Sequence, residues 1–232
     1  MIEVFTCEPL LAGQQSHCLL DTLATCGGEI LPVSEAVFKK LAFGSRAEGI
    51  LGVAEMPQIT LNDILLPSPP APLPKGEGGS KKNPLVAVLE GVEKPGNIGA
   101  VLRSADAAGV SAVILSDPHT DLYNPNAIRA SLGTIFTMPV CEASSDDVLA
   151  WLRKNKISIV AARVDGSVPY TDIDYRNPTA VVLGSETAGL SSTWTAVDIT
   201  AIRLPMLGAA DSLNVSVTAA VIFYEALRQR NR

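Results

Sequence analysis

The sequence predicts an α/β protein in which a mostly parallel sheet flanked by helices follows a small N-terminal α/β domain. From Leu85 onward, short apolar segments alternate with helical patterns, which is typical of parallel strands joined by helical crossovers. Before that alternation begins, a segment rich in Pro, Gly, Ser and Lys interrupts the chain at residues 67–84. We therefore divide the chain into a small domain at 1–57, a linker at 58–84 and a larger domain at 85–232.

The small domain is predicted from alternating short strands and helices before the linker. Ser34 is a suitable N-cap for the second helix. The segment is short for an independent core, so we expect it to lean on the larger domain or on a second subunit. The predicted strands are Ile2–Thr6, Glu29–Val33 and Gly49–Ala54, and the predicted helices are Leu10–Thr25 and Ser34–Ala42.

The linker has almost no side chains to bury and begins with polyproline character. Its Gly76–Lys81 stretch superficially resembles a phosphate-binding loop. The glycine spacing is wrong for such a loop, however, and no apolar strand precedes it.

The larger domain is predicted from a continuous apolar strand at Leu85–Leu89, as expected of a strand covered on both faces. In the last helix, Leu213, Val217, Val221 and Tyr224 recur at helical spacing. Further strands are predicted at Ala112–Leu115, Phe136–Val140, Ile157–Ala161, Ala180–Leu183 and Ile199–Leu204, and helices at Asn97–Ala108, Ser144–Asn155 and Ser212–Arg228.

Composition narrows the class of protein. The net charge of -6 argues against a nucleic-acid binder when taken alone. An RNA-contacting surface can nevertheless be local, and basic residues cluster at Lys75, Lys81, Lys82, Arg228, Arg230 and Arg232. No apolar run of roughly 18 residues suggests a membrane span. The four cysteines form no C-x-x-C pair, so we expect no metal site and no disulfide framework, and we expect a cytoplasmic location.

Ligands of open parallel sheets bind beyond the carboxyl ends of the strands, so the segments directly after the predicted strands are the candidate sites. After Leu89, a Gly/Pro turn leads into a helix that begins at or near Asn97, whose amide could cap it, with Arg103 six residues on. Taken by itself, this segment can also be interpreted as an ordinary loop, a cap and a surface arginine.

A second segment comes after Leu183, where Gly184 and Ser185 lead to Glu186. Glycine lets a backbone approach a ligand closely, and a glutamate can accept hydrogen bonds from ribose hydroxyls or a charged amine. The alternative is a plain turn with an exposed glutamate. A serine-hydrolase elbow is excluded, because G-x-S-x-G is not present here.

In the third segment, Leu204 and Met206 lie in a Pro/Gly loop before the last helix. Ser212 is a reasonable N-cap, which places Asn214 and Ser216 just inside the helix, where they are poor helix formers. Polar residues so placed suggest a site at the helix N-terminus, although a plain cap is the alternative.

Together the three segments resemble the SpoU family of RNA ribose methyltransferases, within the SPOUT superfamily. The similarity covers residues 85–230, and the order and spacing of the segments are those of the family. A further family pattern is matched by Arg129–Gly133. The three motifs correspond to Asn97–Ala100 with Arg103, to Leu183–Glu186 with Gly189 and Leu190, and to Leu204–Met206 with Ser212–Ser216.

The resemblance implies a C-terminal trefoil knot whose loops bind S-adenosylmethionine, a homodimer, and active sites that borrow residues across the dimer interface. It implies that residues 2–56 are a ribosomal-protein-like substrate-binding domain, shortened here because no helix fits before its first strand. The implied cofactor-binding residues are Leu183, Gly184, Glu186, Leu204, Met206, Ser212 and Leu213, and the implied catalytic residues are Arg103, Asn97, Glu186, Ser212 and Asn214.

The implied reaction is methylation of a ribose 2′-hydroxyl, most simply in ribosomal RNA, with transfer RNA as an alternative. The resemblance implies that Arg103 activates the hydroxyl. Because a guanidinium group stays protonated at neutral pH, it is a poor base. The alternative is that Arg103 fixes a phosphate and stabilises the developing alkoxide. One departure from the family pattern is clear: Thr187 and Ala188 stand where Gly and an acidic residue are usual. This departure keeps open a second interpretation, a knotted RNA-binding protein without catalysis.

Overall fold

The computed structural model describes residues 2–11, 13–43, 48–64 and 83–231, which fall into two compact units. The first is Met1–Pro57 and the second is Gln58–Arg232. Residues 58–64 of the predicted linker therefore group with the larger unit, where Ile64 is buried in its core. Residues 65–82, with Lys75, Lys81 and Lys82, lie outside the described residues, as does Arg232.

The small unit is a three-stranded sheet with two helices, in which the central strand β1 pairs parallel to β2 and antiparallel to β3. Ser34 caps the second helix, as predicted, by accepting a hydrogen bond from the Val37 amide. The first helix begins three residues later than predicted, because Glu8–Leu10 forms a separate 3-10 turn. The elements are β1 (Glu3–Thr6), α1 (Gly13–Thr25), β2 (Glu29–Pro32), α2 (Glu35–Leu41) and β3 (Ile50–Val53).

The larger unit alternates strands and helices around one sheet, as the sequence predicts. The elements are β4 (Leu85–Glu90), α3 (Pro95–Ala108), β5 (Ala112–Ser116), α4 (Pro125–Ser131), β6 (Val140–Ala143), α5 (Ser145–Lys154), β7 (Ser158–Ala162), β8 (Val168–Pro169), β9 (Thr179–Leu183), β10 (Ile199–Arg203) and α6 (Val215–Arg230).

The strand order is β6-β5-β4-β9-β7-β10-β8, and every pairing is parallel. The predicted parallel sheet is confirmed. From β4 the chain first builds outward through β5 and β6, and later strands fill the opposite side, so the topology reverses between β4 and β9. Ligand crevices of open α/β sheets form at such a reversal, outside the carboxyl ends of the strands. The trefoil knot stays a prediction.

Both faces of the sheet are covered, which explains the uninterrupted apolar strands. Leu85, Ala87 and Leu89 point into a core shared with α3, α4 and α6. Val86 and Val88 point into a second core that contains residues of α5 and Trp194. Because side chains alternate along a strand, Glu90 at the end of β4 points to the second face.

One predicted strand is wrong. Phe136–Val140 is not a strand: Thr134–Phe136 is a 3-10 turn, and β6 begins only at Val140. Pro139 has no amide hydrogen for the ladder, so pairing begins after it. The helix α4 was not predicted, although Asn124 caps it and Pro125 occupies its first turn. Among the described helices, none is long and apolar enough to span a membrane.

Candidate functional site

The candidate site lies where the chain leaves two neighbouring strands. Leu89 of β4 pairs with Leu183 of β9, so the loops after these two strands start side by side. The first loop leads into α3 and the second carries Glu186. A shallow pocket between them is lined by Val92, Glu93, Lys94, Asn97, Ser185, Glu186, Thr187 and Val215.

Glu186 is the centre of a hydrogen-bonded cluster built from all three sequence segments. Asn97 donates from Nδ2 to Glu186 Oε1 at 3.0 Å, and Asn214 donates from Nδ2 to the same oxygen. Asn214 Nδ2 also lies 3.3 Å from Asn97 Oδ1. Lys94 forms an ion pair with the other oxygen, Oε2. Side chains from three widely separated parts of the chain thus supply one polar site.

The start of α3 differs from the prediction. The helix begins at Pro95 with Lys94 at the N-cap position, so Asn97 does not cap it. A proline at the first helical position is favourable, because its missing amide hydrogen would have had no partner within the helix. Asn97 therefore lies within the first turn, where its side chain is free to bind Glu186.

The start of α6 also differs from the prediction. The N-cap is Asn214 and not Ser212, because Asn214 Oδ1 accepts from the Ser216 amide at 2.9 Å and from Ser216 Oγ at 2.6 Å. Its Oδ1 caps the helix while its Nδ2 binds Glu186. Ser212 is exposed and lies before the helix. One amide side chain therefore serves both the helix and the site.

Electrostatics favour the ionised form of Glu186. The hydrogen bond from Lys94 is the largest cause that lowers the pKa of Glu186 below its ordinary value, and bonds from Asn97 and Asn214 act in the same direction against burial. The same contact raises the pKa of Lys94. The site thus holds a fixed carboxylate that can accept further hydrogen bonds from a ligand.

The loop after β9 closes tightly on itself. Ser185 Oγ accepts from the Ala188 amide at 3.0 Å, and the Gly189 amide donates to the Ser185 carbonyl at 3.1 Å. A side chain at position 184 would collide with the Gly189 backbone, so only glycine fits there. Thr187 and Ala188, the departure from the family pattern, form the exposed tip of this turn.

The apolar residues predicted to bind a cofactor lie along the same edge of the sheet. Leu183 at the end of β9 pairs with Ala162 of β7, which pairs with Ile202 of β10. Leu204 directly follows β10 and therefore lies at the same edge of the sheet as Leu183. Leu183 is buried, Leu204 and Met206 are half-buried, and Leu213 is 40% exposed. In the described structure, no backbone hydrogen bond involves residues 205–213. The C=O groups of these residues, and their N–H groups except at Pro205, are thus available to a ligand.

Arg103 is not part of the cluster. It is exposed on α3 and has no hydrogen-bond or ion-pair partner in the part of the chain that the structure describes. Six residues along a helix correspond to a rotation of about 240° from Asn97, so the two side chains leave α3 on different faces. In the described part of the chain, the structure brings together Asn97, Glu186 and Asn214 but not Arg103 or Ser212.

Two charged residues, one at the end of β4 and one in the loop after it, were not singled out in the sequence. Lys94 directly precedes the Pro95 that opens α3, and a basic residue at a strand-to-helix turn was its only signal. Glu90 ends a buried strand and is itself only 6% exposed. A charged residue that continues an apolar strand was the signal, since carboxylates are rarely buried without a defined set of partners.

Known proteins share both the sequence and the fold. A profile of the SpoU rRNA Methylase family matches residues 84–224. A 23S rRNA (uridine(2479)-2′-O)-methyltransferase of Streptomyces viridochromogenes is 37% identical over 142 residues, covering 59% of this chain and 50% of the relative. A 23S rRNA (guanosine-2′-O-)-methyltransferase of Bordetella pertussis is 31% identical over 219 residues, covering 94% of this chain and 85% of the relative. Against three relatives, the Streptomyces protein among them, the chain spans only 50% to 59% of the relative's length.

Solved structures agree with this grouping. The SpoU methyltransferase AviRb from Streptomyces viridochromogenes superposes with a TM-score of 0.83 at 28% identity, over 99% of this chain and 82% of the other. An AdoMet-bound rRNA methyltransferase from Sinorhizobium meliloti gives 0.81 at 29% identity, over 98% and 79%. Since the family profile covers most of the larger unit, and a relative above 30% identity matches along nearly the whole chain, the protein belongs to the SpoU rRNA methylase family.

Proposed function

We propose that this protein transfers a methyl group from S-adenosylmethionine to a ribose 2′-hydroxyl of ribosomal RNA. The observation that carries the proposal is the cluster of Asn97, Glu186 and Asn214, which joins the three family motifs at the topological reversal of the sheet. Relatives named as 23S rRNA 2′-O-methyltransferases support the substrate class.

The residues beside the cluster fit such a cofactor. Leu204, Met206 and Leu213 offer apolar surface for an adenine ring, and the unpaired backbone groups of residues 205–213 offer hydrogen bonds to its edge. The Glu186 carboxylate suits the hydroxyl or ammonium groups of the cofactor. When bound, S-adenosylmethionine supplies a methyl group on a sulfonium centre, which is electrophilic without the help of a metal ion.

The residues of the chain must then orient a poor nucleophile, the ribose hydroxyl. Asn97, Ser212 and Asn214 are proposed to hold the ribose and the cofactor in a reactive geometry. Arg103 is proposed to bind an RNA phosphate and to stabilise the alkoxide that develops on the hydroxyl oxygen. Its side chain is free for this task, because it has no partner among the described residues.

We propose that the active form is a homodimer, in which Arg103 completes the site of the partner subunit. Two observations support this: Arg103 leaves α3 on a different face from Asn97, and α6 carries exposed apolar residues at Val217 and Tyr224, 47% and 50% exposed. We also propose that the protein acts in the cytoplasm.

The test is methyl transfer from radiolabelled S-adenosylmethionine to purified ribosomal RNA and, in parallel, to transfer RNA, with mass-spectrometric mapping of the modified nucleotide. We expect one 2′-O-methylated ribose in ribosomal RNA and no transfer to an oligonucleotide that carries a 2′-deoxyribose at that position. Transfer to transfer RNA alone would reassign the substrate. RNA binding without heat of cofactor binding in calorimetry would instead support the non-catalytic RNA-binding protein.

A further inference from the structure

The buried carboxylate of Glu90 lies across the sheet from the cluster and is surrounded by neutral donors. Its Oε1 accepts from Ser145 Oγ at 2.8 Å, from Ser191 Oγ at 2.7 Å and from Trp194 Nε1 at 2.8 Å. Its Oε2 accepts from the Ser191 amide at 2.7 Å. No cation pairs with it in the described part of the chain. Burying a carboxylate is costly, and a set of partners this complete indicates a specific task.

Three of the four donors belong to Ser191 and Trp194, in the segment that follows β9. This segment leaves β9 at Leu183, turns through Glu186, and crosses the edge of the sheet to reach Ser191 on the other face. Its first end is held by the β9 ladder and its second end by Glu90. The close contact of Gly184 with Gly189 keeps the loop between these two ends compact.

The fourth donor ties Glu90 to the rest of the fold. Ser145 lies in the first turn of α5, and its Oγ is also 2.6 Å from Ser116 Oγ at the end of β5. The Ser145 amide donates to Asp117 at 2.9 Å. Glu90 is thus fixed from the β5–α5 side, and can act as a rigid anchor for the loop.

We infer that Glu90 is a positioning residue of the cofactor site. It holds the loop of residues 184–191 in the position where Glu186 can accept hydrogen bonds from Asn97 and Asn214. The inference rests on the proposed function. Glu90 does not reach the reacting groups, because it lies on the other face of the sheet. It acts through the Ser191 end of the loop.

Glu90→Gln is the informative variant. An amide has only one acceptor oxygen, whereas the Ser191 amide and the Trp194 indole must both donate. In either orientation of the glutamine, one of these N–H groups faces an NH₂ group and loses its bond. A buried donor without a partner is costly, so we expect the affinity for S-adenosylhomocysteine in calorimetry to fall at least about tenfold.

Hydrogen exchange reports on the loop without any reaction. In wild type the Ser191 amide should exchange slowly, and in Glu90→Gln it should exchange at least about tenfold faster, with saturating S-adenosylhomocysteine slowing it again. Trp194→Phe removes one donor and keeps an aromatic ring in the core. It should also lower the affinity for S-adenosylhomocysteine and speed the exchange of the Ser191 amide, each by a smaller factor than Glu90→Gln. This second variant keeps the test decisive if Glu90→Gln does not fold.

Val160→Ala is the matched control, because Val160 is buried in β7, where it pairs with Val181 of β9, two residues before the end of that strand. It should lower the melting temperature and leave the cofactor affinity within about twofold of wild type. If Glu90→Gln behaves like Val160→Ala, with a lower melting temperature but wild-type affinity and wild-type Ser191 exchange, the inference is overturned. If wild type itself binds no cofactor, the proposed function fails and the positioning role fails with it.

Discussion

Asn214 hydrogen-bonds with both ends of its amide, since Oδ1 caps α6 through the Ser216 amide at 2.9 Å while Nδ2 binds Glu186. The N-terminus of the last helix and the polar cluster are therefore set by the same side chain. Any movement of the helix start changes the position of the donor that faces Glu186.

These two roles of Asn214 can be separated by substitution. Asn214→Ser should keep the cap, because serine is about as good an N-cap as asparagine, whereas Asn214→Ala should lose roughly 1 kcal/mol of unfolding free energy. Both variants lack the donor to Glu186, so both should lose methyl transfer at least about tenfold. Urea unfolding and single-turnover transfer measure the two effects. A Ser variant with wild-type rate would limit Asn214 to the cap.

The Lys94–Glu186 ion pair should be visible in a pH titration. Because the folded pKa of Glu186 lies below its ordinary value of 4.5, the pair stabilises the fold above the unfolded pKa, and this contribution is lost as pH falls through the folded pKa. Lys94→Met removes the largest cause of this lowered pKa, so the titration midpoint of Glu186 should rise toward 4.5. Carboxyl-carbon NMR of Glu186 in both proteins measures it. Equal midpoints would contradict the assignment of Lys94 as its main partner.

An arginine side chain in place of Leu213 should block the proposed cofactor pocket. Leu213→Arg places a bulky charge where a half-exposed leucine lies, and we expect S-adenosylmethionine binding to fall below detection in calorimetry. Val197→Arg is the control, because Val197 is fully exposed on a remote loop and should tolerate the same change. Undiminished affinity in Leu213→Arg would remove Leu213 from the pocket.

Arg103 should matter for rate rather than for cofactor affinity. Arg103→Lys keeps the charge but loses the planar fork of donors, so single-turnover transfer should slow at least about a hundredfold at saturating cofactor. Arg103→Ala should be no better. Arg153→Lys, at an exposed ion pair with Asp198, should stay near wild type. A rate within a few-fold of wild type in Arg103→Lys would reduce its role to a point charge.

Dimer formation should depend on the exposed apolar face of α6. Tyr224→Lys introduces a charge into that face, so light scattering should shift from about twice 24.3 kDa toward 24.3 kDa at micromolar concentration. Val164→Lys changes another exposed apolar residue, 73% exposed, and should leave the mass unchanged. A wild-type protein that is monomeric at high concentration would contradict the dimer.

The local pattern of the sequence was sufficient for most of the fold. Alternating apolar strands and helices predicted the parallel sheet, because burial on both faces demands uninterrupted apolar strands. Ser34 and Ser144 were correctly placed at helix starts, since capping depends only on neighbouring residues. The strand predicted at Phe136–Val140 failed because an apolar run does not show where a 3-10 turn and Pro139 delay the pairing.

By itself, the sequence determined which three segments carry polar residues after strands, and their order. Only the tertiary structure decided which side chains meet. The structure begins α3 at Pro95, two residues earlier than predicted, so Asn97 lies in the first turn and its side chain binds Glu186 instead of capping the helix. Contacts such as Glu186 with Asn97, or Glu90 with Ser191, depend on β4 and β9 being neighbours. Strand order is a property of the whole chain's packing, and no local periodicity encodes it.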